Sequence, residues 1–458
     1  MDHHFPRYHA RPPKGFANDP NGPVVIDSRV HIYHQFRTAL DGNSPVSWAH
    51  ASTDDLVRWQ YHRPAMAPEP GGLDADGAWS GNTVWHDGVL TAFYSGFVEG
   101  KRYQSVLAAD STDKGYSFGP PRLIVEDPTP EENIHTYRDP FVWRTQDGWA
   151  LIVGTGNDDS VAAARMFTSP DLVEWTPAGN LASAPRHTID GVDTGEMWEC
   201  PQVLEVDGET VLFPCAWTRA GGITRVLSVH GKRTPGGPIE DPVMAPYDLG
   251  TNFYASSALP GSIEGPLLWG WSTEGRDQSW VDEAGWTGIL SLPRRISIVN
   301  GKVHSAPVVA LKELRTCRIE PDDRARYTLP SEQFEFQAEL PTDSSSREIT
   351  LRFSDEERLT IQINGDTGRI VVDRSEASTD PRADTSSATI NGTFTEGSVQ
   401  LSGYVDGSIL ELFTNDGQVA TVRFYPLARA PWELELSSQS PRDQVEVWSL
   451  SRDGGQLR

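Results

Sequence analysis

Cysteine is scarce in this chain of 458 residues: Cys200, Cys215 and Cys317 are all it has. Three thiols make no disulfide framework, and buried free cysteines are the reading that follows. Cationic charge is short as well. Lys and Arg total 39 against 64 Asp and Glu, a formal net charge of −25. That disfavours a nucleic-acid binder or a polybasic membrane anchor, since both need a cationic surface. Long apolar runs are missing; stretches such as Val24-Val25-Ile26 are far too short to span a bilayer. The opening MDHHFPRYHARPPKGF has neither an apolar h-region nor a small-residue cleavage pattern. The expectation is a cytoplasmic chain, or a secreted one if a leader has been trimmed away. His3, His4 and His9 read as incidental histidines of a solvated terminus rather than a metal site.

Long amphipathic helix patterns are few. Turn formers are abundant instead, with 41 Gly and 34 Pro, and between them lie short runs rich in Val, Ile, Tyr, Phe and Trp. Examples are VVIDSRVHIYHQF (24–36), LTAFYSGF (90–97), WALIVGTG (149–156) and TVLFPCAW (210–217). These are closely spaced strand signals. A repeat runs through them: Ser52-Thr53-Asp54, Ser111-Thr112-Asp113 and Ser169-Pro170-Asp171, each followed four or five residues later by an aromatic, at offsets of 59 and 58 residues. A unit of that size with about four short strands reads as a propeller blade, longer than the ~40–50 residues of common blade repeats. Five such units end near residue 300. Beyond it the pattern changes to strict alternation, as in RLTIQI (358–363) and WELELSS (432–438), broken by NGD, VDG and NDG turns; this is the signature of an antiparallel sandwich with one buried face. The expected fold is all-β: a five-bladed β-propeller over 1–300, a linker over 301–325 and a β-sandwich over 326–458.

With so many acidic residues, any one Asp or Glu is by default surface charge. Three differ in their neighbours. Asp19 sits in Asn18-Asp19-Pro20-Asn21-Gly22, Asp139 in Tyr137-Arg138-Asp139-Pro140, and Glu199 in Trp198-Glu199-Cys200-Pro201. Each stands near the start of an apolar strand, with a proline just after it. Acids at equivalent ends of inner propeller strands converge at one mouth of the central channel. Two converging carboxylates of opposed pKa are what cleavage of a glycosidic bond requires: one attacks the anomeric carbon and the other protonates the leaving oxygen. A third, kept ionised by the adjacent Arg138, holds hydroxyls. Taken singly, NDPNG is equally readable as an Asx/Pro turn and RDP as a surface ion pair; the combination carries the chemistry.

The ordered set NDPNG, Trp79-Ser80-Gly81, YRDP, ECP, TNFYA (251–255) and GWTGILSLPR (285–294) resembles glycoside hydrolase family 32. This is the β-fructofuranosidase, invertase, inulinase and levanase family. VDGSILELFTNDG (405–417) is similar to a segment of that family's sandwich, so the resemblance covers essentially the whole chain. It implies a five-bladed propeller with a C-terminal sandwich and a retaining enzyme. Such an enzyme releases terminal β-D-fructofuranosyl units from sucrose or short fructans through a covalent fructosyl intermediate. By the same resemblance Asp19 matches the nucleophile, Glu199 the general acid/base with a raised pKa, and Asp139 the transition-state stabiliser. Asn18, Gln35, Ser80 and Arg138 match the fructose pocket and Trp79 its aromatic wall, with Trp271 and Trp286 in segments near the rim. No metal ion or organic cofactor is implied. The partner is a small β-fructoside, with no nucleic acid and no membrane, and a homodimer through the sandwich stays open.

The chain also departs from the family pattern. Phe16-Ala17 stands where Trp-Met is common, Phe36-Arg37-Thr38 where Tyr-Asn-Pro is frequent, Asp41-Gly42-Asn43 where Trp-Gly-Asn often follows, and Asn252 where Asp is usual. These changes bear on the pocket walls and on what lies beyond the first fructose. No cluster of cations near the motifs marks a phosphate site. Two alternatives remain open: a fructosyltransferase of the same family, and a non-catalytic carbohydrate-binding propeller, which the retention of all three acids disfavours.

Overall fold

The computed structural model describes residues 2–452 except 41, 43, 130–131, 342–345, 393–396 and 438–441. The family departures at Asp41 and Asn43 therefore lie outside the described residues. Among the described residues, five antiparallel sheets of four or more strands, one of them joined by an extra parallel strand, fill the first part of the chain. Each begins with a motif-bearing strand: Gly15–Ile26, Gly77–His86, Ile134–Thr145, Met197–Val206 and Tyr254–Leu259. These first strands adjoin one another in a circle, with Gly15–Ile26 beside both Gly77–His86 and Tyr254–Leu259. The architecture is a β-propeller followed by a β-sandwich. Middle strands such as Gly148–Asn157 are buried along almost their whole length, because neighbouring sheets cover both faces. That is why they read as unbroken apolar runs rather than as alternation.

The repeat marks the end of the third strand in each of the first three sheets. Ser111 Oγ donates to Asp113 and Ser169 Oγ to Asp171, and these carboxylates accept the N–H of Ser117 and Val173. In the first sheet the turn is held by Thr53 and Asp55, not Ser52 and Asp54. The copies thus fall 58 residues apart both times, one residue off the frame read from the sequence. The residue after each Asp (Leu56, Lys114 and Leu172) takes a left-handed conformation, with φ of 68°, 61° and 67°.

The ring closes between sequence-remote segments. Trp286–Thr287 pairs in parallel with Gly15–Phe16. Gly288, just beyond, lies so close that a Cβ there would stand 1.7 Å from the Ala17 carbonyl oxygen. Of the expected connector 301–325, Lys302–Pro307 pairs with Arg294–Val299 in the last propeller sheet, Val309–Leu314 forms a 3-10 turn, and Arg315–Ile319 pairs with Gln444–Leu450. The sandwich consists of two six-stranded antiparallel sheets. Its strands alternate, as in Arg358–Asn364, with Leu359, Ile361 and Ile363 facing Phe334, Phe336 and Leu412 in a common core.

Propeller and sandwich share one apolar core in which Ile32, Trp269 and Leu290 meet Tyr404, Phe413 and Val419. Through it runs a buried ionic chain. Arg294 donates to Asp248 Oδ2 (2.8 Å), Glu411 Oε2 (2.6 Å) and Thr421 Oγ1 (2.6 Å). Glu411 Oε1 accepts the Leu292 N–H and meets His9 Nε2 at 3.1 Å. His9 Nδ1 lies 2.9 Å from Asp406, which also accepts the backbone N–H of Arg7, Tyr8 and His9. The N-terminal segment is therefore not the solvated tail its sequence suggests: His9 is 6 % exposed because Asp406 holds residues 7–9 by three successive N–H groups, and His4 is 2 % exposed, its Nε2 2.8 Å from the Pro426 carbonyl oxygen and its ring against Trp280 and Tyr425. Burial opposes the charged form of His9, yet its hydrogen bonds to Asp406 and Glu411 outweigh that and raise its pKa. Burial likewise opposes charge on Glu411, and Arg294 outweighs it and lowers that carboxyl. Glu411→Gln leaves Arg294 and His9 facing a neutral amide. We expect it to cost about 3–5 kcal/mol, read as a lower denaturant midpoint than the parent protein; an unchanged midpoint would show the chain of charges to be dispensable.

Candidate active site

All five first strands break their ladder at the same level. Register shifts fall between Ala17 and Pro20, Ala78 and Gly81, and Tyr254 and Ser257, opposite Asp139-Pro140, and between Glu199 and Gln202. A bulge leaves one or two backbone groups unpaired and re-aims side chains. Here lies the reason a proline follows each acid: Pro20, Pro140 and Pro201 sit where the ladder needs no N–H. Asp139, Cys200 and Ala255 hold φ of 64°, 42° and 45°, strain of about 1–3 kcal/mol each that the surrounding sheets must hold in place.

The bulges bring the three acids to one cavity of about 240 Å³, lined by Asn18, Asp19, Gln35, Arg37, Trp79, Arg138, Asp139, Glu199, Cys200, Ile223, Tyr254 and Trp271. Asp19 Oδ2 accepts from Ser80 Oγ (2.5 Å) and Gln35 Nε2 (3.2 Å), and Asn18 Nδ2 donates to Gln35 Oε1 (2.9 Å). Ser80 is thus in the site although it supports Asp19 from behind the cavity wall. Asp139 Oδ2 accepts the Cys200 N–H (3.0 Å), and its own N–H donates to Ser95 Oγ (2.6 Å). Glu199 Oε2 accepts from Tyr254 Oη (2.7 Å), and Oε1 accepts from Arg138 Nε (3.1 Å) and Nη2. The Cys200 thiol lies 3.6 Å from both Asp19 and Asp139.

One electrostatic expectation is corrected. The sequence sets Arg138 to keep Asp139 ionised. In the structure Arg138 turns its guanidinium to Glu199, and its Nε is 3.9 Å from Asp139. Burial, reinforced by the like charge of Glu199, then pushes Asp139 up to about 7 and Asp19 up to about 6, against the lowering by Arg138 and Ser80 respectively.

The aromatic residues divide. Trp79 lines the cavity, stacked on Phe97 at 4.5 Å, and Trp271 lines it with its edge to Phe16. Trp286, expected near the rim, is 2 % exposed. It is clasped between Arg11 and Arg276 and donates to Asp2. Asn252 is likewise outside the cavity: it is buried and accepts the Arg423 N–H of the sandwich. Tyr254, Arg37, Ser95 and Ile223 were not singled out as site residues from the sequence. Tyr254 and Arg37 stand inside quoted segments, TNFYA and Phe36-Arg37-Thr38; Ser95 and Ile223 carry no local signal.

A model of the glycosyl hydrolases family 32 N-terminal domain matches residues 9–307, and one of the glycosyl hydrolases family 32 C-terminal region matches 305–449. The chain belongs to glycosyl hydrolases family 32. It is a glycosidase. Family 32 relatives match it nearly end to end. The sucrose-6-phosphate hydrolase of Salmonella typhimurium is 28 % identical over 98 % of this chain and 94 % of its own length. The raffinose invertase of Escherichia coli is 27 % identical over 93 % and 90 %. Among solved structures, a sucrose-6-phosphate hydrolase from Lactobacillus gasseri superposes with a TM-score of 0.83 at 24 % identity, over 98 % of this chain and 93 % of that one. The Bombyx mori GH32 β-fructofuranosidase BmSUC1 gives 0.80 at 23 %, over 98 % and 94 %. At these identities the superpositions establish the family 32 fold.

The raised carboxyls set the pH dependence of stability. A folded value above the ordinary 3.8 means that the contribution of Asp139 is full below that value and is lost as pH rises through about 7. Asp139→Asn stays neutral throughout. Its thermal midpoint should therefore gain on the parent as pH rises from about 4 to about 8; a gap that stays constant over that range would contradict the assignment.

Proposed function

We propose that this family 32 chain is a retaining β-fructofuranosidase that releases terminal non-reducing β-D-fructofuranosyl units from sucrose or short fructans. Asp19 is the nucleophile. Its carboxylate oxygen attacks C2 of the fructosyl unit while Glu199 gives a proton to the departing glycosidic oxygen, so that the C2–O bond breaks as the ester forms. Glu199 then takes a proton from water, which attacks C2, frees fructose and restores Asp19. Asp139 holds fructose hydroxyls, with Asn18, Gln35 and Arg138 around them, and Trp79 and Trp271 form apolar walls.

The observation that carries the reading is the convergence of three strand-borne carboxylates on one small cavity, with Tyr254 and Arg138 both on Glu199. The cavity is below the ~300–1,000 Å³ of drug-sized sites, which suits one sugar ring and release of single terminal units. Relatives named sucrose-6-phosphate hydrolase and raffinose invertase support a small fructoside as substrate.

The test is fructose release from sucrose, kestose, inulin and levan. Hydrolysis of the short substrates is expected; build-up of kestose in place of free fructose at high sucrose would instead identify a transferase. Asp19→Asn should lower sucrose turnover by several orders of magnitude, and Glu199→Gln by about 10²–10⁴-fold, with the fold retained. Near-normal turnover in Asp19→Asn would remove the basis for the nucleophile. Because the nucleophile must be ionised, kcat/KM should fall on the acid side with an apparent pKa near 6, the value of Asp19.

A further inference from the structure

His3 and His4 both send Nε2 to the carbonyl oxygen of Pro426, at 3.0 and 2.8 Å. A carbonyl only accepts, so both rings carry a proton on Nε2 in these bonds and turn Nδ1 elsewhere. In His4, which is 2 % exposed, Nδ1 is buried without a hydrogen-bond partner although Asp2 Oδ1 lies 3.0 Å from it. At that distance only direction prevents a hydrogen bond, so Oδ1 stands off the axis of the ring nitrogen. A buried nitrogen beside a carboxylate oxygen that it does not bond is costly for both groups. Two ligands of one metal ion have this relation. Each lies about 2.0–2.2 Å from a zinc ion, so they stand side by side about 3.0–3.4 Å apart rather than in line.

The groups behind these atoms are of the kind that hold metal ligands in place. The Pro426 carbonyl fixes the Nε2 proton of each ring, as a backbone carbonyl does behind many metal-bound histidines. Asp2 Oδ2 accepts from Trp286 Nε1 (2.8 Å) and Arg276 Nη1 (3.3 Å), which leaves Oδ1 as the oxygen turned to His4, where it accepts only the His4 backbone N–H (3.1 Å). Arg276 is itself matched by Glu274 at 3.0 Å, so the charge of Asp2 remains for an ion. One ligand atom from each of Asp2, His3 and His4 lies within 4.8 Å of the other two, and the two imidazole rings are 4.0 Å apart. His3 is half-buried; its ring has room to close the remaining gap, and water can reach the fourth position from its side. Two imidazoles and one carboxylate suit zinc and its neighbours, whereas Mg²⁺ and Ca²⁺ take oxygen ligands.

We propose that Asp2, His3 and His4 form a Zn²⁺ site that fastens the N-terminal segment to the seam between the ring-closing strand of Trp286 and the sandwich. The ion would stand against His4 Nδ1 and Asp2 Oδ1, with His3 as third ligand and water as fourth. The test is titration of the full chain, carrying no histidine tag and first stripped with EDTA, with ZnCl₂ and separately with MgCl₂, read by calorimetry and by the thermal midpoint. The parent should take up one Zn²⁺ per chain, and its midpoint should rise with Zn²⁺ concentration, because an ion that binds only the folded state stabilises it. Mg²⁺ should do neither. Asp2→Asn and His3→Ala alter half-buried side chains, so both variants are expected to fold. Each should weaken Zn²⁺ binding by about 10-fold or more and remove the rise in midpoint at the concentration that saturates the parent. No uptake by the parent, or uptake that both variants leave unmoved, would overturn the site. An equal rise with Mg²⁺ would mark general screening of an acidic protein and overturn it as well.

Discussion

Arg294, Glu411, His9 and Asp406 meet where the propeller and sandwich share their core, and the position of the strand that carries Asp19 depends on how they pair. Charges in such a place cost several kcal/mol each unless every one is matched. Here each finds a partner of opposite sign plus backbone or hydroxyl contacts. The match holds residues 7–9 in place, and six residues later the chain enters the strand that carries Asp19. The family segment VDGSILELFTNDG thus acts on the site from a distance: Asp406 and Glu411 lie in the sandwich, yet they set where the propeller begins. A second set beside it, in which Glu274 accepts from Arg276 and Thr287 and meets Tyr425, ties the same seam to the Trp286 segment.

The bulges solve a problem that a propeller poses to an enzyme. A regular strand alternates its side chains and hands all its backbone groups to neighbours, which leaves nothing to aim at the axis. An interruption in each first strand, at a common level, turns Asp19, Ser80, Asp139 and Glu199 toward one point. Non-glycine residues at positive φ in three of the five strands show that this aim is held by the surrounding sheets rather than by local preference.

Much of this was legible in the sequence because it is written in local chemistry. Prolines after acids announce strand positions with no N–H to give, and unbroken apolar runs against alternating ones separate strands covered on both faces from strands covered on one. What escaped was relational. The repeat frame slipped by one in its first copy because Ser52-Thr53-Asp54 and Thr53-Asp54-Asp55 both satisfy the pattern, and hydrogen bonds alone choose between them. Arg138 adjoins Asp139 in sequence yet serves Glu199, since bulged neighbours point apart. Trp286 looked like a rim aromatic because its motif is a site motif in order, but its work is to close the ring. His4 and His9 looked solvated because what buries them lies far downstream: Asp406 is 397 positions after His9, and the Pro426 carbonyl is 422 after His4.

The parallel pairing of Trp286–Thr287 with Gly15–Phe16 bears on how the chain is made. The strand that carries Asp19 leaves the ribosome some 270 residues ahead of the segment that pairs with its edge, and that edge stays unpaired until then. An open strand edge over that interval is exposed to wrong partners. Contacts of such separation also slow the final step of folding. Asp19 is therefore synthesised well before it is enclosed, so a chain released before the closing segment would carry all three acids and no enclosed site to use them in.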